Sequence, residues 1–230
     1  MQALSRYKDY LKQIVYGGND GIVTTFAVVA GFAGADATGL DKVGTLAVLI
    51  FGLANLFADA TSMGLGEFLS ARAARDMIRH RHRQLHRDPS LQVRGLTEHL
   101  KEHGLSTLDA TTMASLAAQS PGLMAEMTLS QVEGIEDPGQ GALWPRALIT
   151  FISFVSFGTL PLLPYLFSTP GPNQIYYAST ATFVALVLLG LLRHVATRAG
   201  LGRALGETVL VGSLCAFVAY GVGLLVAGLA

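Results

Sequence analysis

One cysteine, Cys215, is all the chain has, so no disulfide can form within it and the count is silent on compartment. Charge is scarce too: Asp, Glu, Lys and Arg make up 14% of the 230 residues and sum to zero. The placement of charge, and not that sum, speaks of partners, and nothing in it points to nucleic acid. All six histidines lie in polar segments or at the end of an apolar run. That excludes a haem held by histidine within the membrane and a Ser/His or His/Glu catalytic constellation there, so neither an enzyme nor a prosthetic group is expected. The stretch from Met1 to Asp20 lacks a short apolar core followed by a small-residue cleavage site, and the first span is expected to act as its own insertion signal.

What is abundant is apolar. The chain is 51% hydrophobic, its mean hydropathy is +0.45, and its apolar residues gather into long runs around one polar block. This profile predicts an all-α, multi-pass membrane protein with five transmembrane helices. Met1 to Gln13, with Arg6, Lys8 and Lys12, reads as a short helix on the membrane surface. The spans are expected at about Ile14 to Gly34, Val43 to Leu69, Leu143 to Phe167, Ile175 to Leu192 and Leu205 to Ala230. Ala35 to Asp41 is a loop, Ser168 to Gln174 another, and Arg193, Arg198 and Arg203 mark the last connector. Three regions follow: 1–70 with two spans, 71–141 as a small helical cytoplasmic domain, and 142–230 with three spans.

In the polar region the second span is expected to run on as a basic helix to His86. Asp88-Pro89-Ser90 ends it, with Ser90 capping a helix from Leu91 to His103 and Gly104 closing that helix. Ser106 and Asp109 have capping-box spacing, Ser120-Pro121 opens a further helix, and Glu136 to Gly139 turns the chain back. Within the spans, Gly17-Gly18-Asn19-Asp20-Gly21 is a poor helix former that serves either packing or backbone liganding. Small residues four apart, at Ala54 and Ala58 and at Ala60 and Gly64, suit close helix approach. Trp144 and Arg146 stand at the entrance to the third span, Pro161 and Pro164 predict a kink near its far end, and Tyr165, Tyr176 and Tyr177 sit where an aromatic belt would be.

The second span carries the chemistry. Asn55, Asp59, Met63 and Glu67 recur every four residues, and at about 100° per residue they share a stripe about 120° wide. A carboxylate within a spanning helix costs roughly 2.5–3.5 kcal/mol on insertion scales, and such residues face a cavity, a partner or an ion path. With 15 of the 16 Lys and Arg on one side of the five-span topology and only Lys42 opposite, the N-terminus and the polar domain are expected in the cytoplasm and the C-terminus outside. Counted at ~1.5 Å per residue, Asp59 on the descending second span and Asp20 on the ascending first span lie at nearly the same depth. Carboxylate and amide oxygens with one thioether suit a borderline ion such as Fe(II) or Mn(II) better than Ca(II) or Mg(II). A carboxylate pair in low dielectric holds protons as well, which gives a route to proton exchange.

Gly18-Asn19-Asp20-Gly21 leading into Phe26-Ala27-Val28-Val29-Ala30-Gly31, then Ser62-Met63-Gly64-Leu65-Gly66-Glu67-Phe68-Leu69, and Pro161-Leu162-Leu163-Pro164-Tyr165 after a helical insert, resemble the vacuolar iron transporter family. The likeness covers nearly the whole chain. It implies a homodimer with its pore between the subunits, exchanging Fe(II), and in some members Mn(II), for protons and moving metal out of the cytoplasm. By the same resemblance Asp20 is the pore aspartate and Met63 the pore methionine. Asn55 stands where the family pattern has a glutamate, and Asp59, one turn on, is the candidate replacement. In the insert, Glu98 and Glu102 match one pair of metal-collecting glutamates. The Arg79 to His86 run replaces acidic positions, and Met124, Glu126, Met127 and Glu133 fall out of register.

Each reading has a plainer rival. Asp20 and Asp59 have a structural reading, hydrogen-bonded to a neighbouring helix, Met63 a packing one, and Glu67 and Glu207 read as groups that reach to the interface. Residues 79–87 read first as a basic face for anionic lipid, although His82 and His86 are spaced to share a metal. Glu98 and Glu102, with His99 and His103, read equally as a solvated helix face, and the prolines as a fixed bend. The expectation is a divalent-metal exporter with proton antiport, in a bacterial plasma membrane for want of a targeting extension. Asp20, Asp59 and Met63 are pore ligands, Asn55 a weaker ligand, Glu67 an exit carboxylate, and Glu98 and Glu102 loading sites. The alternative is a non-transporting scaffold or a metal or pH sensor acting through the basic domain.

Overall fold

Backbone donors and acceptors inside a bilayer must be satisfied within the segment itself, and long runs of apolar residues therefore become helices. The computed structural model describes residues 2–36, 44–85, 89–135, 143–167, 173–197 and 199–229, and the side chains of 2–9, 36 and 89 are not described. The loop at 37–41, Lys42, His86, Asp88, the turn at 136–139, the loop at 168–172 and Arg198, all named above, lie outside the described residues. Among the described residues every regular element is helical. The helices are α1 (Gln2–Asp36), α2 (Thr45–Leu85), α3 (Pro89–Glu102), α4 (Thr107–Ala118), α5 (Pro121–Met127), α6 (Leu143–Gly158), α7 (Leu163–Phe167), α8 (Gln174–Thr197) and α9 (Leu201–Leu229). The chain divides into two units, Met1–Phe68 with Trp144–Ala230, and Leu69–Leu143.

Among the described residues four helical segments, α2, Leu143–Phe167, α8 and α9, are long and apolar enough to cross a membrane. Helix α1 is not among them, because Gly17, Gly18, Asn19 and Asp20 dilute its apolar run. It is nevertheless unbroken, and its glycines have a packing cause. A Cβ at Gly17 would stand 2.8 Å from the Thr150 carbonyl oxygen, and one at Gly21 would strike the Phe154 backbone. Gly158 of α6 answers from the other side, where a Cβ would come within 2.8 Å of the Gly21 carbonyl oxygen. At its far end α1 meets α9 in the same way, with Gly34 on the Tyr220 backbone and Gly223 on that of Gly31. Small residues at these crossings let backbones approach closely, the usual means of helix association without a hydrophobic drive. Of the two small-residue pairs in α2, Ala60 and Gly64 are buried, with Gly64 against Ala147 and Phe151, whereas Ala54 and Ala58 are exposed.

Apolar side chains fill the space around these crossings. Val29, Leu56, Ala60, Phe154, Leu162, Tyr165 and Ala178 form one cluster, and Ile22, Ala185, Leu186 and Leu189 another. At the prolines the α-helix is interrupted, as the missing donors predict: α6 stops at Gly158, a 3-10 turn spans Leu160–Leu162, and α7 follows from Leu163. Pro161 and Leu162 are fully buried there, which makes the bend a fixed one. Helix α8 runs past the expected end at Leu192 to Thr197, and α9 starts at Leu201, so Arg193 and Arg203 sit on helices. Both donate to Glu207, at 2.6 and 2.9 Å, and Glu207 therefore clasps α8 to α9 instead of reaching alone to the interface.

The polar unit follows its punctuation. Gly104, at φ +93°, closes α3 with its N–H on the Lys101 carbonyl while Leu105 N–H reaches Leu100, a Schellman motif. Ser106 Oγ accepts from Asp109 N–H at 3.1 Å and caps α4. Pro121 occupies the first turn of α5, although Ser120 makes no side-chain cap bond. Ser90 is a correction: α3 begins at Pro89, whose fixed φ suits a first turn, and Ser90 lies inside it. Leu96, Ala114, Ala117 and Met124 form the core, with Met127 packed on it. Arg81 is bound in bidentate fashion by Glu133 (2.6–3.0 Å), whose hydrogen bonds and charge push the guanidinium pKa further up.

The Gly21 crossing has a direct test. Gly21→Val is expected to destabilise the detergent-solubilised protein by about 3 kcal/mol or more, the upper range for overpacking, because the obstacle is backbone. Gly66→Ala, where a Cβ meets nothing within 4 Å, is the control and should melt at or above the wild-type temperature. Equal melting of the Gly21 variant and wild type would refute this packing.

Candidate functional site

Helix α2 presents three faces in its membrane part. Gly52, Leu56, Ala60 and Gly64 are buried, Phe57, Ala58, Thr61, Ser62 and Leu65 are exposed, and Asn55, Asp59, Met63 and Glu67 are half-buried between them. The stripe read from the sequence thus runs along the edge of the packed seam. Asn55 Nδ2 donates to Asp59 Oδ2 at 2.8 Å, so the amide orients the carboxylate one turn away. Asp20 of α1 is also half-buried, and it lies close enough to Asp59 for the two charges to act on each other. Met63 packs against the first apolar cluster.

Glu67 is held by a polar network. Its Oε1 accepts from Gln13 Nε2 at 2.8 Å and faces Arg146 Nε at 3.9 Å. Thr150 Oγ1 donates to Gln13 Oε1 at 3.0 Å, which joins α1, α2 and α6. Gln13 is 4% exposed and Thr150 1%. This corrects the reading of Gln13 as the end of a surface helix: α1 continues through it, and its amide is buried among partners. The sequence places Arg146 only at the entrance to the third span and gives no signal for Thr150.

Elsewhere the candidates stand apart. Glu98 is exposed and pairs with Lys101 at 3.2 Å, Glu102 is exposed, and the His99 and His103 rings lie 4.2 Å apart on the same helix. Met124 is buried in the core of the polar unit and Glu133 is taken by Arg81, so neither is presented to an ion. Among the described residues no three His, Cys, Asp or Glu side chains stand together to hold a metal. What the chain brings together is a row of half-buried polar groups along α2, Asn55 bonded to Asp59, then Met63, then Glu67, with Asp20 of α1 near enough for its charge to act on that of Asp59.

Long apolar helices locked through glycine, with carboxylates along one seam, define an all-helical integral membrane protein. The sequence pattern of the VIT family matches residues 11–224, and the chain belongs to that family. It is 27% identical to a vacuolar iron transporter of Centaurea cyanus over 95% of this chain and 91% of that one. Likewise it is 29% identical to one from Toxoplasma gondii over 94% and 74% of the two chains, and 30% identical to one from Plasmodium berghei over 81% and 71%.

Proposed function

We propose that the protein carries a divalent transition metal, Fe(II) or Mn(II), out of the cytoplasm in exchange for protons, through a path between two copies of the chain. The observation that carries this reading is the half-buried pair Asp20 and Asp59, with Asn55 bonded to Asp59, set among long apolar helices. Carboxylates in that setting need a cation or a proton. The relatives named as vacuolar iron transporters support iron as the cargo. A path at the seam between copies is supported by the stripe, which lies at the edge of the packed face.

Five spans are part of the proposal. Helix α1, 35 residues long, packs by backbone contact on α6 and α9, both apolar enough to span, and a helix so placed runs beside them through the bilayer. The basic residues then put the N-terminus and the polar unit in the cytoplasm. Asp20, Asp59 and Met63 are the path's main ligands, Asn55 an orienting group, and Glu67 the carboxylate toward the cytoplasmic end. Glu98 and Glu102 would meet metal only as weak, solvent-facing collectors.

Ion selectivity tests the donor set. In proteoliposomes Fe(II) and Mn(II) are expected to pass at least about tenfold faster than Mg(II) and Ca(II), since the hard ions gain little from a thioether. Met63→Leu should narrow that ratio. Equal passage of all four ions would refute the path as drawn.

A further inference from the structure

We propose that Gln13 makes Glu67 a ligand through one oxygen only, and that it thereby selects against Ca(II) at that end of the path. Gln13 is a positioning residue in this role, acting through the carboxylate and not on the ion. The inference rests on the transport reading for the presence of a metal at Glu67, and on the hydrogen-bond network for the form in which the carboxylate is offered.

Small residues bring three helices together here. A Cβ at Gly17 would stand 2.8 Å from the Thr150 carbonyl oxygen, and one at Gly64 would stand 3.1 Å from that of Ala147, so α1 and α2 both lie close against the early turns of α6. Gln13 is one turn from Gly17, and Glu67 about one turn from Gly64. The Gln13 amide, on a residue 4% exposed, bridges the other two helices. Its Nε2 donates to Glu67 Oε1 at 2.8 Å, and its Oε1 accepts from Thr150 Oγ1 at 3.0 Å. The Thr150 hydroxyl thus decides which way the amide points. Turned end for end, the amide would set its oxygen against the carboxylate, acceptor against acceptor.

With both ends of its amide engaged inside the packed seam, Gln13 orients and does not ligate. Glu67 Oε1 is engaged as well, by the Gln13 N–H and by Arg146 Nε facing it at 3.9 Å. Among the described residues Oε2 takes no hydrogen bond, and it is the oxygen left for a cation. A carboxylate offered in this way suits different ions unequally. Ca(II) gathers about 6–8 oxygens and uses carboxylates in both one-oxygen and two-oxygen modes, whereas Mg(II) is held at shorter range in a strict octahedron. Fe(II) and Mn(II) are likewise satisfied by fewer donors than Ca(II). Releasing Oε1 therefore gains most for Ca(II). The Met63 thioether discriminates against both hard ions, and Gln13 against the larger of them.

The test is Mn(II) binding to the purified full-length protein, read by electron paramagnetic resonance with Ca(II) or Mg(II) as competitor. Gln13→Leu removes the amide, and Thr150 Oγ1 keeps an acceptor in the Arg146 carbonyl at 3.0 Å. This variant is expected to lower the Ca(II) concentration that displaces Mn(II) about tenfold, the scale of one hydrogen bond to a charged group, with Mg(II) competition as in wild type. Thr150→Val, which frees the amide to turn, should move Ca(II) competition the same way by less, and Thr150→Ser, which keeps the hydroxyl, should restore the wild-type ratio. Gln13→Leu combined with Glu67→Gln should show no gain over Glu67→Gln alone. An unchanged Ca(II) to Mn(II) ratio in both Gln13→Leu and Thr150→Val, an equal gain for Mg(II), or the same gain without the Glu67 carboxylate overturns the proposal. Lower yield with all ions shifted together would mark a structural role and overturn it as well. Mn(II) binding untouched by Glu67→Gln would remove Glu67 from the path, and this selection with it. A shifted ratio in protein that moves no metal in proteoliposomes would contradict the transport reading and leave Gln13's role at Glu67 standing.

Discussion

Asp20→Ala is expected to bring Fe(II) and Mn(II) flux down to the level of empty liposomes while the folded assembly survives. A unit charge at ~4 Å from a cation is worth about 4 kcal/mol at the effective dielectric of a partly buried site, and each ~1.4 kcal/mol is a factor of ten. Losing one carboxylate from the path therefore removes about three orders of magnitude of affinity along it. The fold should tolerate the change: the Asp20 carboxylate takes no part in the hydrogen bonds among the described helices, and its neighbour in charge is the like-charged Asp59. The tight crossing one residue on, at Gly21, is untouched. Flux and gel filtration on the same preparation check the prediction, and wild-type flux in the variant would remove Asp20 from the mechanism.

Asp59→Asn is expected to have an effect of the same size, and it asks whether that residue does the work of a glutamate one turn earlier. Asn55 and Asp59 form one donor–acceptor pair at 2.8 Å, so the substitution puts two amides where an amide and a carboxylate stood. Cation binding at that level is lost along with its charge. Exchanging the two, as Asn55→Asp with Asp59→Asn, keeps the pair's hydrogen bond and moves the charge by one turn, ~6 Å along the axis. That double variant should recover part of the flux. Flux no higher than that of Asp59→Asn alone would show that the position of the charge, and not its presence on the stripe, is what matters.

Local structure is legible in the sequence wherever one residue's chemistry decides a boundary. Gly104, Ser106 and Pro121 end or start helices for reasons that hold in any context, and the Pro161 bend follows from a missing donor. Ser90 was missed because Pro89 can itself open a helix. The stripe was legible because a period of four survives on any helix. Gln13 was not, although the depth argument that levels Asp20 with Asp59 extends to it: Gln13 lies seven residues below Asp20, and Glu67 eight below Asp59 on the antiparallel helix. One more step of that count would have paired them. Arg146 and Thr150 were beyond reach, since which face of α6 meets α1 is decided by the Gly17, Gly21 and Gly158 contacts, a three-dimensional fact that composition does not carry.

The sharpest test of the central claim, that the stripe is a proton-coupled metal path, is Mn(II) uptake by wild-type proteoliposomes under an imposed pH gradient. Vesicles acid inside are expected to accumulate Mn(II) above its external concentration as protons leave, and to stop when the gradient is collapsed. If the purified protein is well folded and neither Mn(II) nor Fe(II) moves under a gradient of either sign, the path reading is contradicted and a membrane scaffold or sensor takes its place.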